Sequence, residues 1–305
     1  MTIPSSVSAL KHRQGSFVIR DMLLDYSGIL LAHLVFGYFR NLPTLIIAIL
    51  VTGVFIYRLQ IIAHDGLHVA LHKNKKINDF ITRYLLLAPQ CTPMSLNRFN
   101  HLNHHTQFSR IADKDWQYYQ VSDKNTRWKF YGWLFQVLSF GFVFKIAFKL
   151  LGIGQATPAQ TAARTPDKAQ LQADWWSVVV MQLLILAIYA MTLGWTYYLL
   201  IWLLSVFGVM VPLNTLRSFA EHSIMEVDGS QSNRLFTFTS NRLEAFILAP
   251  HNMNYHFEHH AYMHIPYCNL PALQKILQKQ HDYSLHTRTS YLSHIRQFFQ
   301  ALPIL

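Results

Sequence analysis

The chain has 305 residues, of which 51% are hydrophobic and only 13% charged, with a net charge of +11 and a mean hydropathy of +0.16. A soluble domain carries about a quarter charged residues, so this composition excludes an ordinary soluble globule and points to a membrane protein. Two cysteines, Cys91 and Cys268, exclude a four-thiolate iron–sulfur cluster and a disulfide framework.

The opening residues, MTIPSSVSALKHRQGSF, lack the apolar core of a signal peptide. Two apolar runs follow, LLDYSGILLAHLVFGYF at 23–39 and PTLIIAILVTGVFIYRLQIIA at 43–63, with a pause of only RNL between them. Two more come later, WWSVVVMQLLILAIYAMTL at 175–193 and YYLLIWLLSVFGVMVPLNTL at 197–216, parted by a short GWT connection. Each is read as a membrane helix, although the first contains Asp25 and His33. Two hairpins of helices put 64–174 and 217–305 on the side of the N-terminus. The 64–174 segment holds fourteen Lys and Arg, whereas the two short connections hold only Arg40. The positive-inside tendency therefore makes the large segments and both termini cytoplasmic. The basic charge reads as a topology signal and lipid contact, with no nucleic-acid partner expected. Two further apolar stretches, 84–96 and 130–152, are broken by prolines or by Lys145 and Lys149 and read as interfacial or re-entrant. A spanning 130–152 would carry the later histidines across the bilayer. The stretch 152–172 is a small, polar loop.

Against this map the 17 histidines are unevenly placed. The first group is 64-HDGLHVALH-72, the second 101-HLNHH-105 and the third 256-HFEHH-260, and 217-RSFAEH-222 lies just past the fourth run. In H-x-x-H-H, positions one, four and five share a helical face and can converge on ions; His64 and His68 are one turn apart if the second helix continues. Neutral imidazole suits iron or zinc without thiolates. His64, His68, His101, His104, His105, His256, His259 and His260, together with His222, are too many for one ion and reasonable for two. Asp65, Asp113, Glu221 and Glu258 can serve as outer carboxylates. His72, His251 and His264 are weaker candidates, and His12, His33, His281, His286 and His294 read as ordinary residues. The H-E-x-x-H signature of a zinc hydrolase is missing. A metal transporter would place ionisable residues at mid-span, whereas these groups lie outside the spans.

At these residues the chain resembles the membrane fatty acid desaturase superfamily, the integral-membrane, histidine-box desaturases, hydroxylases and ketolases. Its boxes 64-HDGLH-68, 101-HLNHH-105 and 256-HFEHH-260 follow that family's order, and 254-NYHFEHHAYMHIPYCNLPAL-273 is similar to its third-box region. The likeness covers most of 40–275. It implies an all-α integral membrane fold: four transmembrane helices with a helical cytosolic cap holding a di-metal centre. The chain is then one domain, 1–305, with peripheral tails at 1–20 and 276–305. The resemblance further implies two irons, replaceable by zinc in a purified sample, held by the nine histidines named above. Related desaturases can use an Asn, through water, one turn before the histidine matching His222. Here that position is Ser218, a departure from the pattern, and Asn214 and Asn252 are the other candidates, beside Asp65, Glu221, Glu258 and His72 as outer residues.

The implied activity is O2-dependent formation of a double bond in the acyl chain of a lipid or fatty acyl substrate. Hydroxylation or ketolation of a fatty acyl, sterol or carotenoid substrate is the alternative, and metal transport a remoter one. No fused heme motif and no G-x-G-x-x-G site is visible, so electrons are expected from an external ferredoxin or cytochrome b5 type donor with its reductase. Lys73, Lys75, Lys76, Arg98 and Arg110 could dock such an acidic partner.

Overall fold

The four apolar runs become four helices long and apolar enough to cross a membrane: Gly15–Phe39, Leu42–Leu67, Lys168–Thr192 and Trp195–His222. The computed structural model describes residues 5–11, 15–110, 112–115, 119–120, 122–139, 166–225, 231–279 and 283–304. These are mostly helical, and they divide into two compact units. The first comprises Met1–Phe99, Thr165–Val211 and Met263–Asn269; the second comprises Asn100–Arg164, Pro212–Tyr262 and Leu270–Leu305. The 130–152 stretch is helical as far as Leu138, in Arg127–Leu138, and beyond 139 it lies outside the described residues, as does most of the 152–172 loop.

In the first unit, each helix begins or ends where the sequence provides a reason. Asn41 caps the second span: its side chain accepts from the Thr44 N–H, Thr44 reciprocates, and Pro43 occupies the first turn. Gly194, at φ 114, makes the turn between the third and fourth spans. The fourth span contains two π-helical stretches, Tyr198–Leu203 and Val206–Met210, before regular helix resumes at Val211. Leu30, Leu31 and Leu34 on the first span, and Leu183, Leu184 and Ile188 on the third, are exposed, as lipid-facing side chains should be. Gly53 lets the second span approach the fourth, because a Cβ there would collide with Val209.

The polar residues of the first span are paired within this unit. Asp25 is fully buried and forms an ion pair with Arg58 at 2.6 Å. His33 bonds the Ile29 carbonyl at 2.7 Å and the Tyr189 hydroxyl. The interrupted 84–96 stretch is not a fifth long helix. It passes through a π turn, Ile81–Leu87, and a short 3₁₀ turn, Ala88–Gln90, to Cys91 in the left-handed region. The carbonyls of Ala88 and Pro89 accept from Gln182 at 2.8 and 3.0 Å, and Pro89 also accepts from Trp202 at 3.0 Å. Irregular backbone among membrane helices needs such partners.

The second unit is a set of short helices with two small β pairings. Ser223–Met225 pairs antiparallel with Gln231–Asn233, and Thr237–Phe238 pairs parallel with Thr287–Arg288. Its core is aromatic: Trp133 and Phe298 pack on Phe219 at 4.9 and 5.0 Å, and Phe238 stacks on Tyr291 at 3.8 Å. Described residues of the segment 276–305, expected at the periphery, contribute to this core. Its final helix, Tyr291–Ala301, buries Tyr291, His294 and Phe298, and Arg127 donates to the Leu302 and Gln300 carbonyls beyond and within it, each at 3.0 Å.

Candidate metal centre

The three histidine groups sit on helices, as their spacing requires. In the first unit the second span stays helical to Leu67, so His64 and His68 fall at its end, with ring centroids 5.4 Å apart. Asp65 between them is buried; its carboxylate accepts the Tyr267 backbone N–H at 2.6 Å and lies 3.9 Å from His64 Nδ1. Arg98 donates to the Leu67 and Gly66 carbonyls at 3.0 and 2.9 Å and to Asp79 at 2.6 Å, closing the open end of that helix. It therefore acts as a structural clamp on that helix end.

In the second unit, residues 100–107 of the helix Met94–Gln107 present His101, His104 and His105 on one face, and the six-residue helix His256–Ala261 presents His256, His259 and His260. His222 ends the fourth span. Four of these converge: the ligand atoms of His104, His222, His256 and His260 all lie within 4.8 Å of one another. Nε2 of His222 and Nε2 of His256 face each other at 3.2 Å. Beside them, His105 Nε2 is 3.1 Å from both His101 Nε2 and His259 Nε2. Donors sharing one ion at bonds of about 2.1 Å stand roughly 3.0–3.4 Å apart, so these separations match neighbouring positions around a metal.

The surroundings also fit a metal. His222 Nδ1 and His260 Nε2 are buried with no hydrogen-bond partner among the described residues, a loss of about 1–3 kcal/mol each that a bound ion would remove for any atom it ligates. Burial, and then the neighbouring imidazoles, hold His260 well below its ordinary pKa, so its ring is neutral and can offer a lone pair. The donors are all imidazole, a set that suits iron or zinc. Neither thiol competes, because burial pushes Cys91 and Cys268 up to about 11.

Carboxylates surround the four-histidine group. Asp113 is fully buried and meets His104 Nδ1 at 2.8 Å, which leaves Nε2 as that ring's free donor. Burial, with the Asp113 carboxylate adding to it, raises its neighbour Asp115 to about 6. Glu221, also fully buried, accepts from Arg217 and from the Tyr291 hydroxyl, each at 2.8 Å, and lies 3.4 Å from His256 Nδ1.

The other expected outer residues have different settings. Asn214 accepts from Arg217 at 3.3 Å, and Ser218 is half-buried. Asn252 occupies a left-handed turn, at φ 59, before the third group. Glu258 is buried and bonded by Thr237 and Tyr283; burial raises its pKa. His72 Nδ1 accepts from the Asn74 N–H at 3.0 Å and shapes the turn after the first group. Sequence reasoning missed Tyr119 and Tyr291, whose hydroxyls hold Asp113 and Glu221. No spacing marks them in a chain with 15 tyrosines.

Membrane-length helices are combined here with buried imidazole groups that could hold a metal ion. The family model described as fatty acid desaturase matches residues 41–291, most of the chain, and the protein belongs to that family. It is an integral membrane enzyme of that superfamily, an oxidoreductase of the fatty acyl desaturase or hydroxylase type. No curated protein matches the chain.

Proposed function

We propose that this enzyme introduces a double bond into the acyl chain of a lipid or fatty acyl substrate, using O2, two irons and electrons from an external donor. The observation that carries this reading is the convergence of His104, His222, His256 and His260 in a chain of this family. These four hold one iron and His101, His105 and His259 contribute to the other; the family resemblance adds His64 and His68 to the ligand set. Iron bound there supplies the O2-derived oxidising power that an unactivated methylene C–H bond demands and that no acid–base side chain possesses.

The protein's own residues supply position and dryness. Asp113 and Glu221 orient their histidines and offset the ion's charge. Phe108 and Tyr119, with ring centroids 5.2 and 4.8 Å from His222, form an apolar wall that excludes water. The substrate is strongly apolar and enters from the bilayer. Hydroxylation or ketolation differs only in how finely the substrate is placed. Desaturation is favoured because 254–273 resembles that branch of the family. The histidine groups and both termini are assigned to the cytoplasmic side, where a ferredoxin or cytochrome b5 type donor, with its reductase, can reach them. Lys73, Lys75, Lys76, Arg98 and Arg110 are the basic residues assigned to that encounter, and all but the half-buried Arg98 are exposed.

The test is mass spectrometry of total lipids and carotenoids from a host expressing the chain with a compatible reductase, beside a His101→Ala control. A product lighter by two hydrogens and absent from the control is expected. A product heavier by one oxygen would replace desaturation with hydroxylation. Unchanged products in the His101→Ala host would refute the histidine assignment.

A further inference from the structure

We infer that Tyr119 is a positioning residue of the metal centre, acting through Asp113 to hold His104 in its metal-binding tautomer. This rests on the proposal that His104, His222, His256 and His260 hold an ion. Tyr119 has no exposed surface, and its hydroxyl donates to Asp113 Oδ2, the same oxygen that meets His104 Nδ1 at 2.8 Å. The other carboxylate oxygen, Oδ1, accepts the Asp115 backbone N–H at 2.8 Å. An ionised carboxylate only accepts, so the proton on this edge of His104 resides on Nδ1 and the lone pair on Nε2. A phenol donating to the shared oxygen draws charge from the carboxylate and fixes its plane. The acceptor facing His104 Nδ1 is then held in one place, and the ring is kept aimed at the ion.

The placement of Tyr119 is itself determined from several directions. Its hydroxyl accepts the Ser109 N–H at 3.1 Å, from a residue at φ 63, and its carbonyl accepts the Ser223 hydroxyl at 2.7 Å. Its ring lies 4.8 Å from that of His222 and 5.6 Å from that of His104, so one side chain touches two of the four ligands. Tyr119→Phe keeps these ring contacts and removes only the hydroxyl.

The experiment loads the full-length protein in detergent with ferrous iron, adds an excess of a ferrous chelator, and follows iron release. In Asp113→Asn, one iron equivalent is expected to leave roughly 10–100-fold faster than in the wild type while the other keeps its rate. Tyr119→Phe should accelerate the same equivalent by about 3–10-fold, a smaller effect because the carboxylate remains. The double variant should release no faster than Asp113→Asn, since the tyrosine acts through the carboxylate. Tyr198→Phe, which loses a hydroxyl bonded to Gln182 at 3.0 Å, should match the wild type. Wild-type release from Tyr119→Phe, accelerated release of both irons together, or an additive double variant would each overturn the inference alone. A wild-type protein that retains no iron would overturn the functional reading and this inference with it. If Asp113→Asn does not fold, Tyr119→Phe decides by itself.

Discussion

His64 and His68 stand at the end of a helix of 26 residues, whereas His256, His259 and His260 stand on a helix of six. The long helix is held by its own length, its cap and its apolar neighbours. A six-residue helix has no such autonomy, because nucleation alone costs more than one turn returns. The third group is held from outside. His251 and Asn252, at φ 53 and 59, turn the chain into it, and Asn254 exchanges bonds of 2.8 Å with Phe238 through both backbone and side chain. Thr237 and Tyr283 fasten Glu258 in its middle. Membrane length fixes one set of imidazoles, and a web of long-range hydrogen bonds fixes the other.

The sharpest break comes at the short helix. His256→Ala removes a ligand from the four-histidine group, so product should fall below detection and bound iron should drop, with membrane insertion retained. Lipid mass spectrometry and metal analysis of the same membranes check both, and full activity would sink the assignment. The corresponding break in the membrane unit is structural. Arg58→Ala removes the cation paired at 2.6 Å with the fully buried Asp25, which should cost about 3–5 kcal/mol in a denaturant titration in detergent. Adding Asp25→Leu should recover much of that loss, because an apolar pair can replace a buried ion pair. A null effect of Arg58→Ala would mean that water reaches the pair.

The same contrast decides what could be read in advance. The four spans were legible because each apolar run falls within the roughly 17–25 residues that a bilayer demands, and the H-x-x-H-H grammar because helical period puts its members on one face. Their ends were less legible. The first helix starts at Gly15 instead of 23, the third at Lys168 instead of 175, and the fourth runs to His222 instead of 216. Those extra turns carry charged residues such as Arg20, Asp21, Lys168, Asp174, Arg217 and Glu221, and a helix leaving the hydrocarbon continues without a clear hydropathy signal. Tyr119, Tyr291 and the packing of Tyr291–Ala301 were not legible at all. Tyr119 bonds Asp113 only six positions away, but through an irregular segment with no period to reveal it, and Tyr291 reaches Glu221 across seventy positions.

Acid should sharpen the difference between the units. His294 is buried in the second, where its Nε2 donates to the Ser223 carbonyl at 2.7 Å, and burial depresses its pKa to about 4. The unfolded chain takes up this proton near pH 6.5 and the folded chain only near 4, so between those values the unfolded state binds more protons. The contribution is fully present above pH 6.5 and is lost progressively as pH falls toward 4, in total about 3 kcal/mol. His294→Gln keeps a donor and removes the titration. Its stability measured without metal should fall less steeply than the wild type's between pH 6.5 and 4, and identical slopes would refute the account.

The smallest predicted effect tests whether the long helix is as self-sufficient as its length suggests. Asn41→Ala removes the side chain that accepts the Thr44 N–H at 3.0 Å and ends the reciprocal cap. Loss of such a cap costs about 1 kcal/mol. The cap lies 23 residues before His64, which at 1.5 Å per residue is roughly 35 Å along the helix. Fraying is confined to the first turn, and the span between is anchored by buried residues such as Ala48, Ile56 and Tyr57 and by the approach of Gly53 to Val209. The variant should therefore melt slightly earlier and release iron at the wild-type rate. Faster iron release from Asn41→Ala would show that the far end of the helix positions His64 and His68. The two groups would then differ in the length of their supports and not in kind.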